Sequence, residues 1–308
     1  MKIISIEQIK DLEFRPVVSV GMFDGVHIGH QQLLACVVKE AKQLSTSSAV
    51  ITFSNHPRLI LQKPNDNPIS LLQTNQERMK RLEQCGIDYV FTIDFSVQFS
   101  SLSPAAFLDL IVAKLNPVLM IMGYDNYFGR NTAAELDTIL SKGFYRQMKI
   151  YRTDDCVYFK GLEVSSTQIR KALGSGDMPL ANAMLGYSYT LCGKVIDGYK
   201  QGRSLGFPTA NLSVNPLKLI PRKGVYATRV AIENQTLNGV VFIGERQTFA
   251  LTDLTIEVHI FDFDNDIYNQ DIELLLVDFI REEQRFASVQ DLKNQIKHDC
   301  DEAKRILT

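Results

Sequence analysis

Up to about residue 185, short apolar runs alternate with amphipathic stretches, and after residue 186 apolar runs follow one another with only turns between them. This change of texture limits the fold more than any single residue does. Strand alternating with helix demands a mainly parallel sheet with helices on both faces, because parallel neighbours need a crossover. Strand following strand demands an antiparallel barrel or sandwich. The 308 residues are therefore expected as two domains, 1–185 and 186–308, each long enough to bury its own core.

In the first half the expected strands are Val17 to Gly21, Ser48 to Phe53, Tyr89 to Ile93, Val118 to Gly123 and Lys149 to Arg152. Helices are expected around residues 30–44, 75–85, 104–115 and 132–142, with Ser103-Pro104 as N-cap and first-turn proline. A helical bridge, Ser166 to Leu173 and then a short helix to Leu185, leads to strands at Tyr189 to Val195, Gly224 to Ile232, Gly239 to Ile243, Thr255 to Phe263 and Ile272 to Phe279. One helix closes the chain. Ser288 caps it with Asp291 as partner, and Leu292, Ile296, Ala303 and Leu307 make its apolar stripe.

Composition excludes several classes. Hydrophobic residues at 45% and charged residues at 22% describe a globular protein rather than a disordered or membrane one. A net charge of −2 gives no general attraction for nucleic acid or an anionic membrane, so an anionic substrate has to be held by local groups. No basic recognition helix is present. The five cysteines, Cys36, Cys85, Cys156, Cys192 and Cys300, are scattered without metal-ligand spacing and read as reduced, mostly core residues of a cytoplasmic protein. Charge interrupts the N-terminal apolar residues as it would not in a signal peptide, and no uncharged run reaches a membrane span. Self-association is left open.

The chemistry is concentrated in Val17-Val-Ser-Val-Gly-Met-Phe-Asp-Gly-Val-His-Ile-Gly-His30. A β-branched strand runs into a glycine turn, and Leu33, Leu34, Val37, Val38, Ala41 and Leu44 mark the helix that follows. The glycines, Gly21, Gly25 and Gly29, let backbone approach a ligand, and the helix start offers unpaired N–H groups to an anion. His27 and His30 stand at that entrance, where imidazoles donate to phosphate oxygens. Read alone, the pair could equally be loop residues or metal ligands. The surrounding strand, glycines and helix favour a nucleotide.

This segment resembles the His-x-Gly-His signature of the nucleotidyltransferase superfamily and, within it, the FAD synthetase branch. Three further stretches fit the same family. Thr52-Phe-Ser-Asn-His-Pro57 is similar to its Thr-Phe-x-x-His-Pro loop, with His56 read as fixing that loop. Gly123-Tyr-Asp-Asn-Tyr-Phe-Gly129 resembles a loop in which Asp125 accepts hydrogen bonds from ribose or flavin and Phe128 anchors the core. Many relatives carry Arg at the position of Tyr127, and Arg130 lies near. Val164-Ser-Ser-Thr-Gln-Ile-Arg170 resembles the motif that closes the ATP site: Ser165 or Ser166 caps a helix, and Thr167 and Arg170 converge there. The resemblance implies a Rossmann-like domain in which FMN attacks the α-phosphorus of ATP. Gly21, Phe23, Asp24, Gly25, Gly29, Asp125, Ser165, Ser166 and Thr167 would bind, and His27, His30 and Arg170 would neutralise the triphosphate beside Mg²⁺. Asp24 is the weaker candidate, for metal or ribose.

The second half carries Gly193-Lys-Val-Ile-Asp-Gly-Tyr-Lys-Gln-Gly-Arg-Ser-Leu-Gly-Phe-Pro-Thr-Ala-Asn-Leu212, which resembles the riboflavin kinase motif. Gly198, Gly202 and Gly206 suit a phosphate loop with Arg203 and Pro208 beside it, and Thr209 and Asn211 offer oxygens to Mg²⁺. In Thr255 to Phe263 alternation puts Glu257, His259 and Phe261 on one face. The resemblance implies that Glu257 is the general base toward the riboflavin 5′-hydroxyl, that the ending helix follows a β-barrel, and that Arg281 and Phe286 lie near the flavin. His259 reads as structural. Phe242 and Gln247 stand where relatives carry Asn and Pro, and Asn265 and Asn269 stand where glycines are common. Together the two halves imply a bifunctional riboflavin kinase/FAD synthetase that uses riboflavin, FMN and ATP.

Overall fold

The computed structural model describes residues 1–62, 70–128, 133–153, 156–198, 202, 205–247 and 252–308. Gly129, Arg130 and Arg203 lie outside the described residues, as does the Gln247 side chain. The chain forms two compact units, Met1–Val164 and Ser165–Thr308.

The first unit is built on β1 (Lys2–Ser5), β2 (Val17–Val20), β3 (Ser48–Phe53), β4 (Tyr89–Ile93), β5 (Leu119–Met122), β6 (Phe144–Tyr145) and β7 (Met148–Arg152). They form one sheet in the order β1-β4-β3-β2-β5-β7-β6, parallel except for the β6–β7 pair. Every residue of β2 and β5 is buried, as a strand covered on both faces requires. The covering helices are α1 (Ile28–Gln43), α2 (Pro57–Leu61), α3 (Asn75–Gln84), α4 (Pro104–Leu115) and α5 (Ala133–Ser141). One core cluster packs α4 against the sheet and another packs α1 and α3. Ser103 caps α4 by accepting from the Ala106 N–H at 3.2 Å.

Strand order decides where a ligand can sit. From central β2 the chain moves to β3 on one side and returns as β5 on the other, so the exits of β2 and β5 flank the point where the winding reverses. Crevices of this kind take ligands in open α/β sheets. β1 was not expected, because Lys2 and Ser5 interrupt its apolar residues; it holds an edge by pairing with β4. A hairpin of β8 (Tyr158–Phe159) and β9 (Leu162–Glu163) ends the unit.

The second unit is a closed barrel of β10 (Tyr189–Ile196), β11 (Ala210–Val214), β14 (Thr252–Ile260), β13 (Gln235–Gln247), β12 (Gly224–Ile232) and β15 (Asp271–Arg281), paired in that order. Closure removes the edges that a sandwich would leave open. Ile256, Val258 and Ile260 are buried. On the outside, α8 (Val289–Leu307) packs through Cys300, Ala303 and Leu307 against a cluster that includes Val225, Val240 and Phe261. The bridge helices α6 (Ser166–Ser175) and α7 (Met178–Leu185) belong to this unit. The Asn182 amide donates to Leu276 O at 2.9 Å and accepts from the Tyr189 N–H at 2.7 Å, which joins α7 to the barrel.

Two smaller expectations change. Only Cys300 of the five free cysteines is buried, the rest being half-buried. Asn269 adopts the left-handed conformation with φ 63°, whereas Asn265 does not need it.

Candidate active sites

In the first unit the β2 exit is a strained turn. Phe23 (φ 50°), Gly25 (φ 86°) and Val26 (φ 34°) are all left-handed. For a β-branched valine this is an outlier that costs about 1–3 kcal/mol and marks a constrained site. The turn delivers His27 as the N-cap of α1, where its Nδ1 accepts the His30 N–H at 3.4 Å. That acceptor role leaves the His27 proton on Nε2. The two rings stack with centroids 3.7 Å apart and planes at 18°. Burial lowers the His27 pKa to about 4. Burial, followed by the neighbouring His27, holds His30 well below the usual histidine range. His30 Nδ1 is buried without a hydrogen-bond partner among the described residues. Without a bound anion burial thus favours the neutral form of both rings, which stand at a helix start that suits an anion.

Two residues of the turn are held within the unit. Phe23 is 2% exposed and packs edge-on to His30 at 5.3 Å, so its ring supports the imidazole. Asp24 is also buried, and its carboxylate accepts from the N–H groups of Leu72 at 3.1 Å and Gln73 at 3.3 Å. Its oxygens thus hold the backbone at Leu72 and Gln73. Gly29 lies under the His27 ring, where a Cβ would come within 3.3 Å, and Gly21 lies under Phe23.

The β5 exit folds toward β2, with the Asn126 amide donating to Val20 O. Asp125 is exposed there, and Phe128 packs on Phe107 at 4.6 Å as a core anchor. Sequence reasoning missed Arg152. From β7 its guanidinium lies over the Tyr127 ring at 4.4 Å and pairs with Asp137 at 3.2 Å. It restores a cation beside a position that had lost one. The β3 exit is fixed by Asn55, which exchanges hydrogen bonds with the Phe95 backbone at 3.0 and 2.8 Å. Within the second unit Ser165 caps α6 by accepting from the Gln168 N–H, with Ser166 and Thr167 in the first turn and Arg170 Nη1 donating to Ser166 O.

In the second unit the β11–β14 pair is regular. Asn211 pairs in register with Glu257, and Thr209 Oγ1 donates to Glu257 Oε2 at 3.3 Å. His259 Nδ1 meets Pro208 O at 2.8 Å, the structural role expected for it. The glycines are needed for close approach: a Cβ at Gly198 would overlap the Asn211 amide, and one at Gly202 would overlap Phe207 O. Gly206 (φ 87°) turns the chain into Phe207-Pro208-Thr209. A cavity of about 290 Å³ opens beside Thr209, lined also by Val195, Val258, Ile260 and Tyr268. Among the described residues no three His, Cys, Asp or Glu cluster as metal ligands. The oxygens of Thr209, Asn211 and Glu257 form the hard donor set that suits a small divalent cation sharing a nucleotide's phosphates.

Two side chains near this site are engaged in packing and ion pairing within the unit. Phe242 stands opposite Glu257 with its ring lying across Gly244, and it packs into the cluster under α8. It replaces a polar group with apolar packing. Arg281 forms a two-point ion pair with Asp299 on α8 at 2.8 and 2.7 Å and lies 5.7 Å from the Phe286 ring. Its guanidinium is thus committed largely to holding β15 to the helix.

Known proteins match both halves. A family model described as FAD synthetase covers residues 10–168, and one described as riboflavin kinase covers residues 185–307. Proteins named bifunctional riboflavin kinase/FMN adenylyltransferase are similar along nearly the whole chain. The one from Listeria monocytogenes is 35% identical over 93% of this chain and 91% of its own, and the one from Bacillus subtilis 33% over 96% and 94%. The Escherichia coli K12 protein is 34% identical over 92% and 90%. A solved structure described as a macrolide-efflux protein from Streptococcus pneumoniae is 30% identical, with a TM-score of 0.88 and 99% of both chains covered. That description stays with the neighbour. Among the described residues of this chain no helix is long and apolar enough to cross a membrane.

Proposed function

This chain belongs to the family of bifunctional riboflavin kinase/FMN adenylyltransferases, and on that ground we propose which of its residues carry each reaction. The enzyme phosphorylates riboflavin with ATP to give FMN, and adenylylates FMN with a second ATP to give FAD and pyrophosphate.

In adenylyl transfer an FMN phosphate oxygen bonds to the α-phosphorus of ATP while the bond to the β-phosphate oxygen breaks. Such a displacement needs positioning and charge stabilisation, with no protein nucleophile. His27 donates from Nε2 and His30 from its own ring nitrogen to the triphosphate over the start of α1. Being neutral, they strengthen as donors when charge moves onto the departing pyrophosphate. Asp125 takes ribose or flavin hydroxyls, while Ser165, Ser166, Thr167 and Arg170 receive phosphate.

In the kinase reaction Glu257 accepts the proton of the riboflavin 5′-hydroxyl as that oxygen bonds to the γ-phosphorus and ADP leaves. The glycine loop of Gly198, Gly202 and Gly206 follows the phosphates, and the nucleotide enters the cavity beside Thr209. Thr209 and Asn211 hold Mg²⁺, which when bound screens the phosphate charge. The substrates are small molecules. The five free thiols fit a cytoplasmic setting.

The observation that carries the assignment is the contact of Thr209 with Glu257 across the β11–β14 pair, which joins the glycine-loop motif to the carboxylate strand. Incubation with riboflavin, ATP and Mg²⁺ and separation of the flavins tests it. His30→Ala is expected to stop at FMN, and Glu257→Ala to make FAD only when FMN is supplied. Loss of both activities in either folded variant refutes the two-site reading.

A further inference from the structure

We infer that Arg78 is a positioning residue for adenylyl transfer: its guanidinium clamps the exits of β2 and β3 and thereby sets where the His27–His30 turn stands. The inference rests on the reading of that turn as the adenylyl-transfer site.

Arg78 lies one turn inside α3 and is 6% exposed. Nη1 donates to Met22 O at 2.8 Å and Nη2 to Phe53 O at 2.7 Å, with a further bond to Asn75 Oδ1 on its own helix. Met22 immediately precedes the strained turn, and Phe53 is the last residue of β3. One planar fork therefore spans two neighbouring strand exits, which a point-like lysine ammonium cannot do with the same geometry.

A second hold acts on the same turn from the same segment. Burial pushes the Arg78 pKa down and the Asp24 charge opposes that shift; Asp24 itself accepts the N–H groups of Leu72 and Gln73 just ahead of α3. The start of α3 is itself fixed by a capping box, with Thr74 and Glu77 exchanging side-chain and backbone hydrogen bonds. Residues 72–78 thus grip the turn at Met22 and at Asp24.

Burying a guanidinium is unfavourable, and Arg78 Nε is buried without a hydrogen-bond partner among the described residues. Complete hydrogen bonding therefore does not account for the burial; the two strand-exit carbonyls do. Left-handed Phe23 and Val26 need such over-determined surroundings to persist.

The test uses the full chain and the separated-flavin assay. Arg78→Lys and Arg78→Ala are expected to lower the adenylyl-transfer kcat by about 10- to 100-fold, as small misplacements at a reacting centre do. The KM for ATP should stay within about threefold, and the kinase of the same molecules should be unchanged. Added guanidinium ion should restore at least about tenfold of the loss in Arg78→Ala and nothing in Arg78→Lys, where the ammonium fills the slot. Adenylyl-transfer kcat within twofold of the parent in folded Arg78→Lys overturns the inference, as does a loss shared equally by both activities. His30→Ala in the same assay separates the two ideas: FAD formation surviving in His30→Ala overturns the site reading, whereas its loss beside unimpaired Arg78 variants overturns the clamp alone.

Discussion

The two sites reach precision by opposite routes. At the β2 exit the backbone is forced into left-handed conformations at Phe23 and Val26, and buried side chains hold it there: Phe23 behind His30, Asp24 on Leu72 and Gln73, Arg78 on Met22 and Phe53. At the β11–β14 pair the strands are regular, and fit comes from bare Cα atoms at Gly198 and Gly202 pressed against Asn211 and Phe207. The first site should fail when atoms are removed from it, the second when atoms are added. The chemistry divides likewise. Stacked neutral imidazoles serve the site that needs donors, and oxygens serve the site that needs a base and a cation.

The largest expected effect is the complementary loss in His30→Ala and Glu257→Ala, each by about 10³-fold in one activity with the other within twofold; each removes a donor or a proton acceptor at a reacting group. Next comes acidity. Because the His27 pKa falls to about 4 in the fold, the unfolded chain binds more protons between pH 6.5 and 4. First-unit stability should therefore fall as pH drops through that window, by about 3 kcal/mol from His27 alone, with His30 adding to it. Urea unfolding at pH 7 and 4.5 measures this, and a His27→Asn variant showing the same decline would contradict it.

Gly198→Ala tests the added-atom side. Its new methyl would overlap the Asn211 amide, and kinase kcat/KM should drop about 100-fold while adenylyl transfer is unaffected. Full kinase activity would mean that the loop does not need the close approach. The smallest effect is expected from Gly29→Ala, whose methyl would come 3.3 Å from the His27 ring, a gap that side-chain movement relieves. Adenylyl transfer should fall only about two- to fivefold.

What the sequence revealed depended on whether the signal was local. Period and caps located β3, β4 and α4 to the residue, and the alternation in Thr255 to Phe263 correctly paired Glu257 with His259 and Phe261. β1 was hidden because an edge strand tolerates Lys2 and Ser5, and β11 because Ala210–Val214 reads as the tail of a loop motif. Alternation alone could not choose between barrel and sandwich, which share it; the family resemblance implied the barrel, and the closed sheet bears it out. Partners inside the fold were less legible than motifs. Asp24 and Arg281 belong to recognisable motifs, yet their side chains bond partners distant in sequence, Leu72 and Gln73 in one case and Asp299 in the other, while Phe23 packs on His30 of its own motif. Arg78 and Arg152 gave no signal, since a charged residue on a helix or a strand end reads as solvated until the fold buries it.

The Asn182 amide bears on how such a chain can be recombined. A crossover between gene fragments at the first barrel strand would keep Tyr189 and Leu276 but discard the side chain that satisfies both backbones, leaving buried groups unpaired. A crossover at Val164/Ser165 keeps both of these bonds, because α6 and α7 travel with the barrel they pack on. The exchangeable segment of this molecule is therefore longer than its strands, and inheritance of the barrel as a unit carries the Ser165–Arg170 helix with it.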